Sequence, residues 1–279
     1  MPEMNNARYS RNEALFGEEG QEKISNTRVA IVGLGGLGSH IAQQLAYLGV
    51  SEFTLVDDDV VTDSSLNRLI GAYDSDVAGQ TPKVASAERL IKLVLPVVRI
   101  RTLMTKVESA KVGPAIADVD VVFGCLDKDL PRLRLTEICA RLAKPYFDLA
   151  TDTGSDPEPT FGGRIAFCNG TGCLSCLQLL DQEEMARDSL TLELKAARDR
   201  TYGIPVGALD QTGPAVVSIN GAVASLAVTE FMLFATGLGT PVSVLNYYGQ
   251  KRLIRRSVDM PQPNCPYCTL LWGRGLDDI

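Results

Sequence analysis

A mostly parallel α/β sheet of the Rossmann type, continued by antiparallel strands and carrying a four-cysteine zinc site in its second half, is the fold class this chain predicts. Three observations carry the expectation. The apolar run 28–32 leads directly into a glycine turn, Gly33-Leu34-Gly35-Gly36-Leu37-Gly38, which opens a helix-like stretch. An acid, Asp57, closes the next apolar run. The first half then alternates short β-branched runs with amphipathic segments of helical length, the rhythm of βαβ units.

Taken in order, the strand patterns fall at 29–32, 53–56, 97–103, 119–123 and 146–149. Helical patterns lie between them at 39–48, 83–95 and 130–142, with a short turn near 110–116. Right-handed crossovers then place the Gly33 turn, Asp57 and Asp127 along one edge of the sheet, where a nucleotide would sit. Past residue 151 the rhythm changes. Residues 152–160 read as a turn-rich loop, and 161–167 as a strand extending the sheet in the antiparallel sense. The charged stretch 181–213 reads as a mobile crossover segment with one helix over 183–200. A long central helix over 215–238, a strand pair at 242–248 and 252–258, and a loose tail over 272–279 complete the reading.

The chain is expected to be one domain over 1–279: an N-terminal arm at 1–26, a nucleotide-binding half at 27–150, and a zinc-containing, substrate-binding half at 151–279. At 279 residues it can bury about three quarters of the surface its unfolded form exposes. With 34 acidic and 27 basic side chains, its net charge of −7 argues against nucleic acid or an anionic membrane as the main partner. Residues 1–10 are polar and show no signal peptide. The apolar stretch 215–238 is interrupted by Ser218, Asn220, Ser225, Thr229 and Glu230, so it reads as a buried core helix and not as a membrane span.

The chemistry begins with phosphate. A glycine turn alone serves many nucleotide sites, and a dehydrogenase holds its pyrophosphate mostly with backbone N–H groups. Here two cations, Arg68 and Lys83, follow the ribose-type acid Asp57 and its neighbour Asp59, which implies a triphosphate whose charge is stabilised during reaction.

Seven cysteines are too few for a disulfide scaffold. Four of them form two pairs, Cys173-Leu-Ser-Cys176 and Cys265-Pro-Tyr-Cys268, a full tetrahedral thiolate set that favours structural zinc. A redox disulfide pair is the competing reading for either pair alone. This usage points to a reducing, cytoplasmic setting. Cys125, Cys139 and Cys168 lie in apolar patterns and read as small buried hydrophobes. His40, the single histidine, reads as structural.

The residues in this order resemble the ThiF/MoeB/HesA family, the bacterial branch of the ubiquitin-activating-enzyme superfamily, over nearly the whole chain. The resemblance rests on Arg8-Tyr9-Ser10-Arg11 with segment 17–23 behind it, Asp57-x-Asp59, Ser64-x-Leu66-Asn67-Arg68, Pro82-Lys83, Asp127 followed by Arg132, and the double cysteine pair. It implies ATP-dependent adenylation of a C-terminal carboxylate, giving an acyl-adenylate and pyrophosphate. The implied substrate is a small ubiquitin-like protein ending in Gly-Gly, or a peptide with a free C-terminal carboxylate.

By resemblance, Gly33, Gly35, Gly36, Gly38, Asp57, Asp59, Ser65, Asn67, Arg68 and Lys83 form the nucleotide site. Asp57 holds the ribose, and Arg68 and Lys83 hold phosphate. Asp127 binds Mg2+, and Arg11 reaches into the neighbouring site of a homodimer. A sulfur donor or carrier protein is an expected further partner.

Four positions depart from the family pattern. Ser65 and Leu69 replace an Asn and a Gln, and Lys128 replaces the Asn after the magnesium aspartate. Thr136 stands where the family has an Asn three residues before Cys139. Residues 181–213 hold no cysteine, so no enzyme-bound thioester is expected in that loop, and the adenylate should pass to an external sulfur donor, amine or carrier cysteine. The chain's own ending, Asp277-Asp278-Ile279, is not that of the expected substrate. Two rival readings stand beside this one: an NAD-dependent oxidoreductase, which leaves Arg68, Lys83, Asp127 and Arg11 without work, and a non-catalytic scaffold subunit of a heteromeric activating enzyme.

Overall fold

The computed structural model describes residues 6–154, 158–201 and 214–276. Helix α1 (Asn6–Asn26), kinked at Gly17 where φ is +76°, precedes β1 (Arg28–Val32), α2 (Gly36–Leu48), β2 (Glu52–Asp57), α3 (Asp74–Ala78), α4 (Lys83–Val94), β3 (Arg99–Met104), α5 (Val112–Ala117), β4 (Val121–Gly124), α6 (Asp129–Arg141) and β5 (Tyr146–Gly154). Then come β6 (Thr160–Cys168), α7 (Gln182–Asp188), α8 (Leu192–Thr201), α9 (Val217–Thr236), β7 (Val244–Tyr248) and β8 (Leu253–Arg256).

One eight-stranded sheet runs in the order β3-β2-β1-β4-β5-β6-β7-β8. Strands β1 to β5 pair in parallel, and β6, β7 and β8 continue the sheet antiparallel. The inner parallel strands β1, β2 and β4 are buried on both sides because helices cover both faces, whereas β3, at the sheet's edge, carries exposed Arg99, Arg101 and Thr102. On one face Ile24, Ile41, Leu45, Phe53, Phe123, Phe147 and Phe231 form the core, with the Phe123 and Phe147 rings 5.3 Å apart. On the other, Val112, Ile116, Val122, Leu135, Ile138 and Tyr146 pack beneath α5 and α6 and merge with the cysteine cluster. Helix α9 is long and apolar enough to cross a membrane by length. Here it lies against α1, α2, β5 and β6, with Val223, Ala224, Ala227 and Phe231 buried.

Three expectations need correction. The loop expected at 152–160 is shorter, because β5 runs on to Gly154 and pairs with β6 from Tyr146↔Cys168 to Gly154↔Thr160. Thr151 and Thr153 suit the pleat, and pairing with β6 satisfies their backbone. The single helix expected over 183–200 is two helices. Asp181 caps α7 by accepting from the N–H groups of Glu183 (2.8 Å) and Glu184 (3.1 Å), while the Thr191 hydroxyl accepts from Leu194 N–H at 3.3 Å and starts α8 afresh. The rest of the expected crossover, 202–213, lies outside the described residues.

The tail, expected to be loose from 272, is tied down as far as Leu276. Gly273 N–H donates to the Ala140 carbonyl at 2.8 Å and Gly275 N–H to the Arg141 carbonyl at 2.9 Å. The Trp272 indole lies so close to Gly170 that a Cβ there would sit 2.7 Å from the ring. Its last residues, 277–279, lie outside the described residues.

Candidate functional site

The glycine turn follows β1 because the chain must reverse within a few residues beneath the β4–α6 connection. Gly33 adopts φ +89°, and a Cβ there would lie 2.6 Å from the Cys125 carbonyl oxygen. Its N–H donates to the Val56 carbonyl at 2.8 Å, tying the turn to β2. A Cβ on Gly35, by contrast, would meet nothing within 4 Å, so this part of the turn faces open space. The first N–H groups of α2 have no carbonyl within their own helix, and with the helix dipole they form a site for phosphate.

Asp57 ends β2 with both carboxylate oxygens engaged: Oδ2 accepts from Leu34 N–H at 2.6 Å and Oδ1 from Asp59 N–H at 2.9 Å. Burial raises its pKa above the ordinary value, while the charge of Lys83 and these two hydrogen bonds oppose the rise. Each oxygen keeps a second lone pair for a ribose hydroxyl.

Lys83 starts α4, and its Nζ lies 2.6 Å from Asp59 Oδ2. Arg68 is half-buried and donates to the Ser64 carbonyl and, at 3.1 Å, to Asn67 Oδ1. A Cβ on Gly36 would be 3.5 Å from Arg68 Cδ, so this arginine flanks the turn. Ser65 is buried and its hydroxyl lies 3.0 Å from that of Thr62, within the short turn Asp63–Ser65.

Asp127 is exposed on the β4–α6 connection, at the mouth of a cleft of about 540 Å³ lined also by Asp129, Arg132, Arg164, Glu184 and Tyr247. Beneath it lies a charged network of which the sequence singled out Arg132 alone. Arg132 is buried and grips the Leu126 carbonyl with Nε (3.0 Å) and Nη2 (2.7 Å), which fixes the backbone next to Asp127. Asp148, fully buried, accepts from Arg164 Nη1 at 2.9 Å and from the Tyr146 hydroxyl at 2.7 Å. The available signal was an aspartate inside the apolar strand β5, since a buried charge needs a cation from elsewhere in the fold.

The strand ends thus gather the glycine turn, Asp57, Asp59, Arg68, Lys83 and Asp127 along one sheet edge. They do not gather Arg11, which is exposed on α1 and makes no hydrogen bond or ion pair among the described residues. Burial lowers the pKa of His40, whose Nε2 is buried with no partner among the described residues. The thiols of Cys125, Cys139 and Cys168 are pushed up by burial, as expected for inert groups.

The sulfurs of Cys173, Cys176, Cys265 and Cys268 all lie within 4.8 Å of one another. Cys173 Sγ is 3.7 Å from Cys176 Sγ and 3.6 Å from Cys265 Sγ, and Cys176 Sγ is 3.9 Å from Cys268 Sγ. A disulfide requires about 2.05 Å. Tetrahedral zinc with Zn–S bonds of about 2.3 Å requires edges of about 3.8 Å, which these separations match. A hydrogen bond from Cys268 lowers the Cys173 thiol below its ordinary value, against the burial that raises it. The donor set therefore fits structural zinc, and the redox reading does not explain why two distant pairs converge.

Comparison with known proteins agrees with this geometry. Over 267 residues the chain is 29% identical to the sulfur carrier protein ThiS adenylyltransferase of Escherichia coli, covering 94% of each chain. It is also 29% identical to the molybdopterin-synthase adenylyltransferase of the same organism, covering 94% of this chain and 95% of that one. A shorter stretch of 134 residues is 38% identical to the SAMP-activating enzyme E1 of Haloferax volcanii, 47% of this chain and 49% of that one. The fold superposes on E. coli MccB, in a crystal structure with AMPCPP and MccA, with a TM-score of 0.73 at 19% identity, over 96% of this chain and 75% of that one. The profile of the ThiF family matches residues 9–269, and the chain belongs to that family.

Proposed function

We propose that this chain uses ATP to adenylate the C-terminal carboxylate of a small ubiquitin-like protein ending in Gly-Gly, for later sulfur transfer or conjugation. That it is an adenylyltransferase rests on its family and on two relatives of that name matched along nearly their full length. The observation that carries the rest is the meeting of a phosphate-type glycine turn with Arg68, Lys83 and Asp127 on one sheet edge, beside a polar cleft.

In the reaction, an oxygen of the substrate carboxylate attacks the α-phosphorus of ATP. The bond from that phosphorus to the β-bridging oxygen breaks, and pyrophosphate leaves with the bonding pair. The nucleophile is already ionised, so no general base is needed. The barrier comes from bringing anions together and from the charge left on pyrophosphate.

This chain's residues address that charge. The N-terminus of α2 and the turn's backbone N–H groups receive phosphate, Arg68 offers a planar fork, and Lys83 offers a point charge that exchanges Asp59 for phosphate. Asp57 orients the ribose. Asp127 would hold Mg2+, which would supply charge neutralisation at the phosphates. Ser65 lines the nucleotide loop, and Asn67 steadies Arg68.

A Gly-Gly tail has no Cβ atoms, which suits its lying along the 540 Å³ cleft. The stretch 181–213 has no cysteine, so the adenylate itself is the product handed on, to an external sulfur donor, amine or carrier cysteine. The chain works as one adenylation domain in the cytoplasm, and as a homodimer in which Arg11 of one subunit completes the site of the other.

The test is mass spectrometry of a Gly-Gly-ending ubiquitin-like protein incubated with the enzyme and Mg·ATP. A gain of one AMP on the tail, absent when the terminal carboxylate is capped as an amide, is expected. No AMP on any free tail overturns the proposal.

A further inference from the structure

Helix α9 begins against the glycine turn, and its Asn220 has a place there that the sequence did not reveal. Asn220 is only 3% exposed. Its amide packs onto Gly36 so tightly that a Cβ on Gly36 would collide with Nδ2 and lie 2.9 Å from Cγ, and that same point is 3.5 Å from Arg68 Cδ. The next residue, Gly221, packs on His40, since a Cβ there would lie 3.2 Å from His40 Cε1. The start of α9 is thereby fixed against the first turn of α2.

A buried amide normally has its donors and acceptor satisfied, because leaving them unpaired costs on the order of a full hydrogen bond each. The Asn220 side chain makes no hydrogen bond among the described residues. Its neighbours instead are the two groups that receive phosphate, the α2 N-terminus and Arg68. Ser65, where the resembling family has an amide, keeps its hydroxyl on Thr62.

We propose that Asn220 is a phosphate-binding residue of the nucleotide site, its amide N–H donating to a phosphate oxygen of ATP and supplying from α9 the amide that position 65 lacks. The inference rests on the reading of this chain as an ATP-dependent adenylyltransferase. It also explains why Gly36 bears no side chain: the room is taken by an amide that must come close to the turn.

The test is calorimetric binding of two probes, Mg·AMPPNP and adenosine, to the full chain and to the variants Asn220→Ala, Asn220→Ser and Asn220→Asp. Melting temperature and zinc content confirm that each variant is folded. The Ala and Ser variants should bind Mg·AMPPNP about tenfold more weakly or worse, the range for a hydrogen bond to a charged group, and bind adenosine as the parent does. Asn220→Asp keeps the shape and sets a carboxylate beside phosphate, so its loss should exceed that of Asn220→Ala. An unchanged Mg·AMPPNP affinity in the folded Ala or Ser variant overturns the proposal, as does an equal loss for adenosine, which would mark a packing role alone. If the parent chain binds neither probe, the adenylation reading fails and takes this proposal with it.

Discussion

Lys83 Nζ lies 2.6 Å from Asp59 Oδ2, and the lysine is 15% exposed where its partner is 64% exposed. The acid therefore sits at the solvent side and holds the cation pointed along the strand ends, beside Asp57. An ion pair this open adds at most about 1 kcal/mol to stability, so its value lies in orientation. Lys83→Ala should cut ATP–pyrophosphate exchange by about 10³-fold with little change in melting temperature, the scale seen for removing one transition-state donor. Asp59→Asn should cost only about tenfold, since the lysine remains. Exchange rates of the two variants check the ordering, and an unimpaired Lys83→Ala enzyme would remove the lysine from the mechanism.

The four-cysteine cluster joins the β6–α7 connection to Cys265 and the C-terminal turn Pro266–Leu270 that follows it, far from the glycine turn in sequence. Cys265→Ser should lower bound zinc from one equivalent to none and destabilise the fold by about 3 kcal/mol, or roughly 10 °C in melting temperature. Adenosine binding at low temperature should survive in that variant. Elemental analysis with thermal unfolding measures the first two, and loss of adenosine binding in a folded apo protein would show that the metal supports the site directly.

Arg11 on α1 is the one assigned residue that the fold leaves apart from the others. If it acts across a dimer, Arg11→Ala and Lys83→Ala proteins are each inactive alone. Mixed under conditions of subunit exchange, they form hybrids with one intact site, and about a quarter of parental exchange activity should return. Sedimentation establishes the dimer, and a mixture as inactive as its components contradicts action in trans.

Arg89 clamps Asp76 with Nη1 to Oδ1 at 2.7 Å and Nη2 to Oδ2 at 2.6 Å, and also holds the Gly71 carbonyl at 2.7 Å. This fastens the segment between Arg68 and Lys83. Hydrogen bonding from Arg89 lowers the Asp76 carboxyl to about 2. A depressed acid stabilises the fold above its unfolded pKa and loses that contribution as pH falls. With Arg89 partly open to solvent, about 1 kcal/mol should disappear between about pH 4 and pH 2. Denaturant unfolding against pH measures this, and Asp76→Asn should flatten that part of the curve. An unaltered slope would mean that the clamp carries no net stability.

What the sequence revealed was local. The turn from Gly33 to Gly38, the acid at Asp57 and the paired cysteines are short patterns whose spacing dictates their chemistry, and the sheet order follows from right-handed crossovers between them. What it concealed depends on segments meeting in space. Asn220 looked like a polar interruption of an apolar helix, and only the approach of α9 to Gly36 gives it a role. Asp148 and Arg164 are 16 residues apart and meet because β5 and β6 pair antiparallel. The glycines and polar residues of the tail carry no periodicity, yet its backbone N–H groups find the C-terminal carbonyls of α6. The break between α7 and α8 turned on one Thr191 hydroxyl.

The central claim, that the strand-end cations serve the joining of a polypeptide carboxylate to AMP, is tested most directly by exchange of radiolabelled pyrophosphate into ATP. With Mg·ATP and a Gly-Gly-ending ubiquitin-like protein, label should enter ATP, and the signal should vanish when the tail is amidated or Lys83 is replaced by Ala. Exchange that proceeds equally with the amidated tail, or that never appears with any free Gly-Gly tail, would contradict the account.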